Sequence, residues 1–161
     1  MRRAAALIDP GILLAAFVLD RATKYWAQTW LYERENVAVL PFFHFTYVQN
    51  TGAAWGVMRG NNYLLIGISI VLLGALFWMR RSWKNPDVWI RYGSLSVGAG
   101  ALGNLYDRIF YGYVVDFLDF LVWPVFNVAD SCITVGACAL AWGLHKADRL
   151  KEKEAAASLK S

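Results

Sequence analysis

Apolar and polar positions alternate along the chain in blocks that mark four long apolar stretches. The clearest runs from Gly60 to Met79 (GNNYLLIGISIVLLGALFWM), carries no charge and stops at Arg80-Arg81. A second covers about residues 10–30, with Asp20, Arg21 and Lys24 embedded in it. A third spans about 88–110, uncharged from Tyr92 to Tyr106 and rich in small residues; a fourth spans about 126–145, uncharged from Ser131 to Leu144. A helix needs about 20 mainly apolar residues to cross a bilayer, and the Gly and Ala of the last two stretches suit close helix packing in lipid. The pattern predicts an all-α membrane fold, a four-transmembrane-helix bundle forming a single integral membrane domain over residues 1–161.

Between the spans the period changes. In PFFHFTYVQN, Phe43, Phe45 and Tyr47 alternate with His44, Thr46 and Val48, which predicts a strand with one aromatic face. The glycine-containing turn NTGAAWG ends it, and its Trp55 is placed to cover a site there. Residues 111–125 are apolar and aromatic enough to lie at an interface, and the tail 146–161 reads as a solvated, frayed helix.

Composition sharpens the membrane reading. Hydrophobic residues make up 58 % of the 161 positions and charged residues 17 %, against about 45–50 % and 25 % in soluble domains. Disorder is excluded, and a soluble core of this size could not hide so much apolar surface. The net charge of +4 does not form one basic patch, so no nucleic-acid partner is expected. Arg2-Arg3, the Arg80-Arg81-Lys84 cluster and the basic tail instead fall on one side of a four-span chain, which the positive-inside rule makes the cytoplasm. Both termini are then cytoplasmic, and residues 31–59 and 111–125 extracytoplasmic. The first stretch begins with basic residues, but Asp20 and Lys24 interrupt it and no A-x-A-like site follows, so it reads as a retained helix. Cys132 and Cys138, six apart in one apolar run, fall on different helix faces and predict no disulfide.

Against this background some polar residues are costly. Asp20, Lys24, Asn104, Asp107, Arg108, Asn127 and Asp130 lie in or at the ends of the predicted helices. A few of them facing lipid would cost roughly 10 kcal/mol, so they must face one another or a wet cavity. In the four-span topology they converge, with Asp116 and Asp119, on one extracytoplasmic site. Simpler roles exist for each. Asp20 and Lys24 are spaced for an i,i+4 pair, Asn127 with Asp130 for a helix cap, and Arg108 can snorkel with Asp107 as its neutralising neighbour. Asp119 reads as a solvated interface acid. His44 lacks a second His or Cys for zinc, and Thr51 and Ser131 lack an adjacent activating base. What remains is a pair of acids sharing a proton, which is aspartic-protease chemistry and needs no cofactor. The rival is a small proton-coupled transporter or channel that uses the same buried acids.

The motifs then become specific. LDRATK, QNTGAAWG, GALGNLYDR, GYVVDF and FNVADS, in that order and across roughly residues 12–145, resemble lipoprotein signal peptidase, the bacterial signal peptidase II family. The resemblance implies a four-helix transmembrane bundle with a small extracytoplasmic β-cradle and an interfacial helix, in the bacterial cytoplasmic membrane. It also implies a catalytic pair, Asp116 and Asp130, supported by Asp20, Lys24, Asn50, Gly52, Asn104, Arg108, Asn127 and Ala129. The implied substrates are diacylglyceryl-modified prolipoproteins cleaved just before the lipid-bearing cysteine. Expected partners are those precursors and membrane lipid, with a monomeric enzyme and neither cofactor nor metal.

Overall fold

The computed structural model describes residues 2–52, 58, 60–83 and 86–158, with side chains from residue 9 onward. Trp55 and Lys84 lie outside the described residues. Helix α1 (Arg2–Trp26) continues through a π-helical turn, Ala27–Leu31. Helices α2 (Asn62–Ser82), α3 (Val88–Phe110) and α4 (Val128–Ser158) follow. The third predicted stretch coincides with α3, while α4 runs on without a break through most of the tail expected to fray.

By length and composition, α2 and α4 are apolar enough to cross a membrane. Helix α1 carries Asp20, Arg21 and Lys24, and α3 is diluted by glycines and ends in Asp107-Arg108. The outward face of α2 is apolar, with Ile70, Val71 and Trp78 exposed and only Leu65 and Leu76 buried. A face of that kind suits lipid rather than water.

Helix α3 is central and packs against each of the other three. Its small residues set how closely they approach. A Cβ at Gly93 would lie 2.6 Å from the backbone nitrogen of Leu140 in α4, and a Cβ at Gly103 would strike the Asp20 carboxylate of α1. Any larger residue at either position would push a neighbouring helix away.

The segments between α1 and α2 and between α3 and α4 build a three-stranded antiparallel sheet, β1 (Asn36–Leu40), β2 (Phe43–Asn50) and β3 (Val114–Asp119), in that spatial order. The alternating stretch forms β2, as its period predicts. Phe45 and Tyr47 face an apolar cluster of Ala27, Leu31, Val115 and Phe117. Trp26 adds edge-on contacts to Phe45 and Phe117, at 5.1 and 6.0 Å between centroids.

Three features add to or depart from the expectations. Residues 111–125, expected only as an apolar stretch at an interface, form strand β3 followed by bends. VVDFLD finds its backbone partners on β2, with Val48 opposite Asp116 and Asn50 opposite Val114. Strand β1 was not expected at all. Asp119 is a sheet residue that accepts hydrogen bonds from the Thr46 hydroxyl (2.7 Å) and the Leu121 N–H (2.8 Å), rather than a solvated acid.

Candidate active site

The period of β3 decides where Asp116 goes. Val115 and Phe117 enter the apolar cluster, so the residue between them faces the opposite side of the sheet. There Asp116, 2 % exposed, lines a cavity of about 1040 Å³. The same cavity is lined by Asn50 from β2, Asn104 and Arg108 from the end of α3, and Asp130 from the start of α4. Phe120 and Trp123 supply apolar wall.

Asp130 is positioned by a reciprocal helix cap. The Asn127 carbonyl Oδ1 accepts the Asp130 N–H at 2.9 Å, and the Asp130 carboxylate accepts the Asn127 N–H at 3.2 Å. This is the capping-box arrangement, here with Asn and Asp in its two places. The cap expected from the sequence is present, and it also fixes the orientation of a cavity-lining acid.

Three asparagines hold the two acids, and each has its amide orientation set by a different donor. The Oδ1 of Asn104 accepts from the Lys24 ammonium (2.8 Å), which turns its Nδ2 toward Asp130 (2.7 Å). Asn127 gives Oδ1 to the Asp130 N–H, which leaves Nδ2 for Asp116 (2.6 Å). The Oδ1 of Asn50 accepts the Gly52 N–H (2.9 Å), and its Nδ2 donates to the other Asp116 oxygen (2.8 Å). An ammonium or a backbone N–H can only donate, so flipping any of these amides would set donor against donor.

Behind the asparagines lies a buried ion cluster. The fully buried Lys24 ammonium donates to Asn104 and forms ion pairs with Asp20 (3.1 Å) and Asp107 (2.9 Å). Asp20 also accepts the Ala129 N–H (3.1 Å), next to Asp130 in sequence. Asp107 pairs with Arg21 and accepts the Val115 N–H at 3.4 Å. Arg108 does not pair with its neighbour Asp107, as the sequence suggested; it donates to the Gly52 carbonyl (3.2 Å) and to the Asn104 carbonyl (3.4 Å).

The ten residues that the resemblance implies thus fall in one connected network. Ala129 enters through its backbone, and its buried side chain lies where only a small group fits between α3 and α4. Sequence reasoning missed three residues. Arg21 partners Asp107, Asn62 donates to the Arg108 carbonyl (2.9 Å), and Thr134 lines the cavity one turn beyond Asp130. Of these only Arg21 left a signal, a third charge inside an apolar helix.

Burial first, and then the charge of Asp130, push the Asp116 carboxyl up to about 7, against the opposing pull of the Asn50 and Asn127 amides. A carboxyl of that kind holds or releases a proton near neutral pH. Two acids over one cavity, oriented by neutral donors, can handle the protons of a water and of a scissile amide.

Comparison with known proteins gives the family. The family model for signal peptidase (SPase) II matches residues 12–146. A lipoprotein signal peptidase of Pelotomaculum thermopropionicum is 38 % identical over 145 residues, covering 89 % of this chain and 95 % of the relative. One from Moorella thermoacetica is 42 % identical over 139 residues, covering 84 % and 92 %. A solved bacterial membrane enzyme, determined by the in meso method at 2.3 Å, superposes with a TM-score of 0.81 at 32 % identity, covering 86 % of this chain and 88 % of its own. The transporter alternative finds no support among these relatives. A match over almost the whole chain, and close relatives matched over nearly their full length, place this chain in the signal peptidase II family.

Proposed function

We infer that the protein is an aspartic endopeptidase of the bacterial cytoplasmic membrane that removes signal peptides from prolipoproteins, with Asp116 and Asp130 as the reacting pair. The observation that carries this reading is the pairing pattern. Both acids line one cavity and are held by asparagine amides, while the nearby cations Lys24 and Arg21 are engaged by Asp20 and Asp107.

The chemistry follows from one proton shared by two carboxyls. The ionised carboxylate removes a proton from water as its oxygen attacks the scissile carbonyl carbon, while the protonated acid donates to the developing oxyanion. When the tetrahedral carbon collapses, its hydroxyl returns a proton to the acid that protonated the oxyanion, the C–N bond breaks and the leaving nitrogen takes a proton from the acid that accepted it from water. Both acids then hold one proton between them, as at the start. No cofactor enters these steps. Asn50, Asn104 and Asn127 keep both carboxylates aimed, and Asp20, Lys24, Gly52, Arg108 and the Ala129 N–H support them.

The substrate reading is a diacylglyceryl-modified precursor cut just before its modified cysteine. The apolar wall of Phe120 and Trp123 beside the carboxylates suits acyl chains, and the exposed apolar faces of the bundle suit sideways entry of a signal helix from lipid. In this reading the chain spans the membrane four times as a monomer, with residues 1–9, 80–87 and 146–161 in the cytoplasm and the cavity at the extracytoplasmic face. Incubating purified protein with matched precursors, one diacylglyceryl-modified and one not, tests the substrate. The modified form is expected to be cleaved far faster, and equal rates would remove lipid from recognition. Cysteine labelling tests the topology, since labelling at positions 82 or 155 from outside would exclude it.

A further inference from the structure

Arg21 is a cation that neither the cap nor the asparagine triangle uses. It sits on α1 one residue after Asp20, with its side chain 18 % exposed, and bonds the fully buried Asp107 carboxylate of α3. Its guanidinium is stacked 4.5 Å above the Tyr106 ring, with the Tyr111 ring at 5.8 Å. A planar guanidinium can lie flat on a ring and donate in its own plane at the same time, which an ammonium cannot. Arg21 is therefore held from two directions and presents a fixed N–H to Asp107.

Asp107 is the branch point to both cavity acids. Its Oδ2 accepts the Val115 N–H at 3.4 Å, one residue from Asp116. The same oxygen receives Lys24 at 2.9 Å, and Lys24 in turn orients Asn104, whose amide reaches Asp130. The charges explain why a second cation is needed. Asp20, Asp107 and Lys24 alone sum to one negative charge in a buried cluster, and Arg21 brings the sum to zero. Without it, the two acids compete for Lys24 and draw it away from Asn104.

We propose that Arg21 is a positioning residue for cleavage, acting through Asp107 to hold Asp116 and the Lys24–Asn104–Asp130 chain in working geometry. This rests on the reading of Asp116 and Asp130 as the reacting pair. It distinguishes Arg21 from an ordinary surface cation, because its effect passes through one carboxylate and falls on the chemical step rather than on substrate binding.

The test is a kinetic double-mutant cycle on full-length protein in detergent with a diacylglyceryl-modified precursor. Arg21→Met is expected to lower kcat about 10-fold, short of the roughly 100-fold that a 1 Å misplacement can cost, with KM within about twofold. Arg21→Lys, which restores the charge but not the in-plane donor over the Tyr106 ring, recovers only part of the loss. Combined with Asp107→Asn, Arg21→Met is expected to add no further loss, because its route is already cut. An unchanged kcat in Arg21→Met, or losses that multiply in the double variant, overturns the proposal. Should Arg21→Met not yield folded protein, Arg21→Gln goes through the same cycle with the same expectations. Asp116→Asn, assayed alongside, separates the two readings. Turnover in that variant overturns the reacting pair itself, whereas a dead Asp116→Asn beside multiplying losses overturns only the role of Arg21.

Discussion

Two classes of acid in the same bundle are held in opposite ways. At one end, Asp9 of α1 is saturated by cations, with Arg80 of α2 at 2.8 Å and Arg91 of α3 at 2.6 Å. At the other end, Asp20 and Asp107 are treated likewise by Lys24 and Arg21. Asp116 and Asp130 stand beside them but make no ion pair among the described residues, and their side-chain partners are the amides of Asn50, Asn104 and Asn127. A cation in contact favours the ionised form of a carboxylate. An amide holds it in place but leaves it able to take a proton. The fold thus pairs Lys24, Arg21, Arg80 and Arg91 with acids that serve as scaffold and gives the cavity acids neutral hydrogen-bond donors, with Arg108 on the cavity wall bonded to backbone carbonyls.

The largest expected effect tests that division directly. Asp116→Asn and Asp130→Asn should each lower cleavage by about 10³-fold or more, within the range of general acid–base contributions, while the protein still inserts and binds precursor. Asp107→Asn should mainly reduce folded yield and leave measurable turnover per folded molecule. Normal turnover in a well-folded Asp116→Asn, with a dead Asp107→Asn, would move the reacting pair to Asp107 and Asp130 and reverse the roles of the two classes.

Next in size is the loss of the central cation. Lys24→Met strips Asp20 and Asp107 of a shared partner in a fully buried place, and removing one member of such a cluster costs about 3–5 kcal/mol. Denaturant unfolding in detergent should register that loss. The double variant Lys24→Met, Asp107→Asn should recover part of it, because one uncompensated charge goes with the cation. A Lys24→Met variant as stable as the parent would mean that the scaffold acids do not depend on cations.

Much of this site was legible before any coordinates, for a simple reason. Charges and amides inside apolar stretches cannot face lipid, so their presence announces a shared polar interior. The strand β2 announced itself by strict alternation. Other features were hidden by the physics of sequence itself. VVDFLD reads as a nearly continuous apolar run, and only its pairing with β2 reveals that Asp116 faces away from Val115 and Phe117. Strand β1 is largely exposed and leaves no periodic trace. The adjacency of Asp107 and Arg108 misled, because successive helical residues point about 100° apart and do not face each other. The true partner, Arg21, lies 86 positions away, and nothing local encodes that contact.

A smaller effect concerns pH. Asp116 is raised to about 7, so it is protonated below that value and ionised above it. If the pair works with one shared proton, kcat/KM should fall about tenfold per pH unit on the alkaline side of roughly 7. The Asn50 amide favours the ionised form and so opposes the rise. Asn50→Ala removes that donor, raises the carboxyl further, and should move the alkaline limb up by about one unit. A limb that moves down, or stays while Asn50→Ala remains folded, would separate the limb from Asp116.

The smallest expected effect sits at the far end of the bundle and serves as the control for all the others. Asp9 receives the Arg91 Nε at 2.8 Å as well as the two ion pairs, and Arg80 reaches on to the Ser94 hydroxyl at 2.5 Å and the Arg91 carbonyl at 3.0 Å. These bonds tie the start of α1 to the end of α2 and the start of α3, so they matter for how the helices meet. The side chains of Asp9 and Arg80 are about a quarter exposed, at 24 % and 28 %, which screens the charges. Asp9→Asn keeps an acceptor oxygen but loses the charge, and should cost about 1–2 kcal/mol of stability. Its kcat, KM and alkaline limb should match the parent within about twofold, because the polar network around Asp116 and Asp130 does not include this end. A shifted limb in Asp9→Asn would mean that charge is felt along the full length of the bundle. In that case the contrast between amide-held and cation-held acids could not be a local property of the cavity.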